Sequence, residues 1–272
     1  TTGEEGSAAY TVDLPIANSY YISETQAPYA YYRNSSDVYS FTFNYLPETT
    51  AKAAFTHTFA NDRTTAKIHI YKVDKETGKA VGQGDAKLEG AVYGLYARDD
   101  IAHPDGARGI IFHAGDLVAT LTTDEGGNAE VKNLYLGNYY VKEITPSEGY
   151  LLDEEEHDVV CDYEGDLVAE VSRNTTSAEQ VIKQPFQLIK VSDNGDDTEA
   201  PVLSGAGFRA YLKSSLSVLE DGSYDFDSAE AVKIGSKGET TLFTDAKGHI
   251  VTQPIPYGTY VVVETVTPHN ME

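Results

Sequence analysis

Five charged side chains and one asparagine carry whatever chemistry this sequence has, because each falls on a strand face that should be buried. Glu24, Glu143 and Glu264 stand about 120 residues apart, and Lys72 and Lys190 repeat at nearly the same interval. Side chains two positions apart along a strand share a face. Tyr20, Ile22 and Glu24 therefore lie together, as do Tyr139, Val141 and Glu143, and Tyr260, Val262 and Glu264. By the same alternation Lys72 is in phase with Ile68 and Ile70, Lys190 with Phe186 and Leu188, and Asn61 with Phe55, His57 and Phe59. A charge on a core face is costly unless it is paired or neutralised. Buried ion pairs seldom do better than break even for stability, so reuse of one pair asks for a chemical reason. A dry setting lowers the pKa of an amine and raises that of a carboxyl, which leaves a free amine beside a proton-bearing acid.

The elements that would position these groups are strands. Runs of Val, Ile, Thr, Tyr and Phe alternate with polar residues and are punctuated at Asp74–Gly78, Asp124–Asn128, Asp193–Asp197 and Asp245–Gly248. Helical periodicity is weak, and Ser214–Leu219 is the best short helical candidate. A repeat of about 120 residues is too long for a solenoid and suits a string of domains, and many short strands per repeat predict an all-β chain of tandem β-sandwiches. The expected units are residues 1–64, holding the C-terminal half of a repeat, 65–184, a complete one, and 185–272, lacking its last strand. Few contacts are expected across the junctions, which should be the first sites of proteolysis.

Composition narrows the partners. The 272 residues carry 43 acidic and 20 basic side chains, a net charge of −23, which argues against nucleic acid or an anionic membrane surface. Twenty tyrosines and nine phenylalanines supply enough apolar bulk for packed cores, so this is no disordered acidic tail. The sequence holds no apolar run long enough to cross a bilayer and no signal peptide, and its first residues read as mid-domain. Cys161, the single cysteine, reads as a small buried residue.

Three motifs together carry a family likeness. YKVD followed by glycine at Lys72, LEGAVYGLYA (Leu88–Ala97) with LSGAGFRAYL (Leu203–Leu212), and the glutamate strand with a trailing proline resemble the Cna protein B-type, or SpaA-like, domains. The resemblance implies prealbumin-like, Ig-like sandwiches strung along adhesins and pilins on Gram-positive surfaces. It implies a self-formed bond in which the lysine amine attacks an asparagine or aspartate side chain of the last strand, the glutamate assisting. That is a single-turnover modification, so no enzyme and no cofactor are expected. Carried onto this chain, the first unit offers Glu24 and Asn61, its lysine lying before Thr1. The third offers Lys190 and Glu264, its acceptor lying beyond Glu272. The second holds Lys72 and Glu143 but no plain acceptor. The first unit's spacing, counted back from Lys190, lands on Glu179, and aligned strand ends put Lys183 or Gln184 in the slot. Asn174 is the nearest asparagine and the default acceptor, although it is in phase with Glu170 and Ser172 on a polar face. The alternative is a Lys72–Glu143 pair with no bond.

Other motifs read blandly. LPETT (Leu46–Thr50) resembles a sortase signal but lacks the glycine and is expected to be a turn. Asp193–Asp197 and the run Asp153–Asp158 read as solvated loops, and no metal site is expected. The functional expectation is an extracellular stalk segment that holds a binding tip away from the wall and resists proteases. It would be anchored through sequence elsewhere in a longer chain, and its partners would be neighbouring domains of that chain. The rival is a module that binds a host matrix protein or glycan through its tyrosines, and a further rival is a sandwich appended to a secreted hydrolase.

Overall fold

The structure is a computed structural model and describes residues 2–3, 6–9, 14–15, 18–42, 55–192 and 201–268. The motifs at residues 46–50 and 193–197 lie outside these residues.

In the first unit, β1 (Ser19–Ser23) runs antiparallel to β2 (Val38–Thr42), with Tyr20 opposite Phe41 and Ile22 opposite Tyr39. This register stacks aromatic rings across the pair, Tyr20 on Phe41 at 5.7 Å, and continues through Tyr39 on His57 at 4.6 Å. Cross-strand aromatic pairs of this kind are a main source of sheet stability.

The second unit is the complete sandwich. Its principal strands are β3 (Thr65–Asp74), β4 (Val92–Ala97), β5 (Leu117–Thr122), β6 (Asn128–Leu134), β7 (Gly137–Thr145), β8 (His157–Cys161) and β9 (Glu170–Glu179). One sheet has the order β6-β3-β9 and the other β8-β7-β4-β5. Period-two alternation decides what the sheets enclose. Ala66, Ile68 and Ile70 of β3 meet Tyr93 and Leu95 of β4, Tyr139 and Val141 of β7, and Val159 and Cys161 of β8, all buried. Burial pushes the Cys161 thiol up to about 11, so it packs as an inert apolar residue. β9 lies parallel to β3 along its whole length, from Glu170 beside Thr65 to Glu179 beside Asp74. The strand that enters the sandwich and the strand that leaves it are thus neighbours. β3 ends where Asp74 Oδ1 accepts the N–H groups of Glu76 and Thr77, and Gly78, at φ 65°, closes the turn.

In the third unit β10 (Gln187–Ile189) pairs with β12 (His249–Val251), and β11 (Gly207–Leu212) lies between Leu242–Phe243 and β13 (Tyr260–Val266). Among the described residues no strand lies on the free edge of β10, the place that β9 takes beside β3. Ser214–Leu219 does not form an α-helix. It holds one 3-10 turn, Lys213–Ser215, followed by the short strand Ser217–Val218, because the two-residue pairing of that strand with Tyr224–Asp225 claims the backbone.

The junctions differ from the expected bare linkers. Thr64 is buried, its N–H bonded to the Ala30 carbonyl. The Arg63 guanidinium donates to the carbonyls of Leu134 and Asn133 and lies 4.1 Å from the Tyr135 ring. Arg33 meets Asp166 at 3.1 Å. At the second junction Lys183–Gln184 pairs with Ile255–Pro256, Tyr257 donates its N–H to Ile182, and Asp85 accepts the Thr259 N–H. Asp62–Arg63 and Lys183–Gln184 are themselves short strands, pairing with Tyr31–Tyr32 and Ile255–Pro256, so their backbone groups are satisfied at the seams by protein rather than by water.

Candidate functional site

Lys72 is the fourth side chain on the buried face of β3, after Ala66, Ile68 and Ile70, and the alternation carries it inside. It is fully buried, and so are Glu143 on β7 and Glu179 on β9. The site therefore bridges both sheets, with the amine and Glu179 contributed by one and Glu143 by the other. Lys72 Nζ is in direct contact with Glu179 Oε2 and lies 3.5 Å from Glu143 Oε1. The Tyr150 ring covers it at 4.7 Å. Glu143 Oε2 accepts the Asp153 N–H at 2.8 Å. Glu179 Oε1 is held by the Tyr93 hydroxyl and by Ser177 Oγ, the latter at 3.3 Å.

Burial governs the electrostatics. It pulls the Lys72 amine from 10.5 down to about 8 against the opposing pull of Glu143, so part of the population is unprotonated near neutral pH. Burial also raises the Glu143 carboxyl, partly offset by the Asp153 N–H and by Lys72. A free amine, a carboxyl able to carry a proton, and a carboxyl carbon beside the amine are the groups that amide formation would draw on.

Asn174 is not in this site. It is exposed on the outer face of β9 beside His69, in the phase of Glu170 and Ser172, while Ser177 and Glu179 take the inner face. The residue opposite the amine is Glu179. In the first unit Asn61 Nδ2 donates to Glu24 Oε1 at 2.8 Å. In the third, Lys190 Nζ lies 2.7 Å from Glu264 Oε2. Both of these pairs are half-buried rather than enclosed, because no facing strand covers them among the described residues: Ile22 and Val262, on the glutamate faces, are exposed.

Sequence reasoning missed two supports that recur. The tyrosine four residues before each glutamate turns its hydroxyl back to an upstream carbonyl: Tyr20 to Pro15, Tyr139 to Tyr135 and Tyr260 to Pro256, at 2.9, 2.6 and 2.7 Å. A Tyr at that offset in all three motifs was the available signal. The backbone N–H of each lysine donates to a turn glycine, Lys72 to Gly127 and Lys190 to Gly248, both at 2.8 Å. Asp153, Glu155 and His157 bring one ligand atom each within 4.8 Å of one another, but Asp153 already engages His157 and Ser177.

Tandem two-layer sandwiches with a lysine–glutamate pair repeated at the same strand positions define a class of modular structural domain. The model of the SpaA prealbumin-like fold domain matches residues 66–176 and again 184–272, and the chain belongs to that family. Among curated proteins none matches the chain in sequence. Of solved structures, the Bacillus anthracis TIE protein is similar with a TM-score of 0.54 and 23% identity over 93% of this chain. The chain spans 37% of that protein's length. The streptococcal ancillary pilin matches 92% of this chain and 67% of its own at 22% identity and a TM-score of 0.31. The shaft pilin SpaA from Lactobacillus rhamnosus GG matches 76% of this chain and 89% of its own at 16% identity and a TM-score of 0.28.

Proposed function

We propose that this chain is a stalk segment of a Gram-positive cell-surface adhesin or pilin, with the second unit tied internally through Lys72. The observation that carries this reading is the repeated lysine–glutamate pair, fully enclosed where the sandwich is complete. Three further features support it. The seams between units are laced by strand pairing and hydrogen bonds rather than left as linkers. The first and last strands of the second unit lie side by side, where one side-chain bond can join them. The strong negative charge keeps such chains from adhering to one another. The location is extracellular, with anchoring to the wall supplied by another region of a longer chain. Partners are neighbouring domains and subunits. Glu24 with Asn61, and Lys190 with Glu264, are the corresponding parts of the sites in the flanking units. The bond is made once per chain, and no turnover of an external substrate is involved.

Antibodies raised against residues 65–184, used for immunogold labelling of the producing cells, should decorate surface fibres or the wall. The purified fragment should bind neither host matrix proteins nor a glycan array. Labelling confined to the cytoplasm would refute the stalk reading, and specific capture of one glycan or matrix protein would favour a binding module instead.

A further inference from the structure

We infer that Glu179 is the acceptor in the second unit, and that Lys72 condenses with its side-chain carboxyl to form a Lys–Glu amide with loss of water. The inference deepens the tied-stalk reading and rests on it. Glu179 is the residue the fold puts against the amine, and the nearest asparagine, Asn174, faces solvent on the same strand.

The two carboxylate oxygens of Glu179 have separate surroundings that fit separate roles. Oε2 faces Lys72. Oε1 faces away, toward the hydroxyls of Tyr93 and Ser177. As Nζ attacks Cδ, negative charge gathers on Oε1, where the Tyr93 hydroxyl is already aimed and the Ser177 hydroxyl, shared with Asp153, lies at 3.3 Å. The Nζ–Cδ bond forms and the Cδ–Oε2 bond breaks. Oε2 departs as water, carrying the acid's own proton and one proton given up by the amine. Glu143, at 3.5 Å from the amine, is placed to take that proton and pass it to the leaving oxygen. No oxidant, metal or activated ester is required. Strands fixed on both sides hold amine and acid together, which replaces the activation that free acids and amines need in water. Condensation also removes two charges from a site where burying them is costly, and the water released escapes to bulk.

The intact chain, measured by high-resolution mass spectrometry, should be lighter than its sequence by one water. A tryptic digest should contain a branched peptide joining residues 68–75 to residues 174–183, trypsin being blocked at Lys72. Fragmentation should place the branch on Glu179. Glu179→Gln should lose one ammonia in place of the water, since the group expelled from a carboxamide is its nitrogen, as ammonia, rather than an oxygen. Asn174→Ala should leave the loss of water unchanged. Full sequence mass in the parent chain would overturn the inference, as would loss of ammonia in the parent, or loss of water without a branched peptide. None of these results would alter the immunogold labelling, so failure of the Lys–Glu bond and failure of the stalk reading are told apart. Should Glu179→Gln fail to fold, the parent mass and Asn174→Ala still decide.

Discussion

Lys72 enters the core as a base with a depressed pKa, and that alone sets a pH signature. Folding brings the amine from 10.5 to about 8, so between those values the unfolded chain binds more protons than the folded one. Stability contributed by a free Lys72 therefore rises as pH increases from 8 to 10.5. An amide nitrogen does not titrate there. Chemical denaturation of the parent and of Lys72→Met across this window should give a stability difference independent of pH if the bond is made, and a rising one if Lys72 is free. Lys72→Met leaves Glu143 and Glu179 buried without their cation and should cost about 3–5 kcal/mol. Tyr93→Phe removes a hydroxyl from Glu179 and should cost about 1–3 kcal/mol, read as a lower melting temperature. At this scale Lys72 and Glu143 were legible because strand alternation puts them in phase with Ile70 and Val141. Glu179 was legible only as a count of residues. Glutamate is rarely buried, and an asparagine five positions earlier drew the assignment to Asn174, even though its polar phase already pointed outward.

The elements around the site are held by turns whose chemistry repeats between units. In Asp124–Asn128, Asp124 Oδ1 accepts the N–H groups of Gly126 and Asn128. Asp245 does the same for Lys247 and His249. Gly127 sits at φ +74°, and a Cβ there would come within 2.6 Å of the Lys72 carbonyl oxygen. Gly248, at φ +70°, stands in the same relation to Lys190. Gly127→Ala should therefore strain the turn and push β3 outward at Lys72, costing about 1–3 kcal/mol. Thermal denaturation checks the cost, and the branched tryptic peptide should form more slowly. The turns themselves were visible as Asp–Gly punctuation. Their contact with the lysine strand was not, because it depends on which strands become neighbours.

Across the whole molecule the seams are where the sequence was least informative. Nothing in Asp62–Arg63 or Lys183–Gln184 announces that they form strands, since a two-residue pairing leaves no periodic pattern to read. Glycines mark the contact instead. Gly84, at φ +64°, lies against the Tyr257 carbonyl, and Gly149 lies against Ala86 and the Tyr257 ring. Gly84→Ala should open the second seam without unfolding either unit. Limited proteolysis should then cut near residues 182–186 faster than in the parent, while the melting of the second unit shifts little.

The parallel neighbours β3 and β9 have a mechanical consequence. Tension applied through the flanking units enters the second sandwich at Thr65 and leaves it beyond Glu179. Because the two strands run the same way, it slides one along the other, and the ladder from Thr65 to Asp74 must yield together rather than unzip from an end. With Lys72 joined to Glu179, the load crosses from one backbone to the other at that bond. Residues 73–178 then lie outside the loaded path, and the unit behaves as a short, inextensible link whose enclosed chain is never stretched.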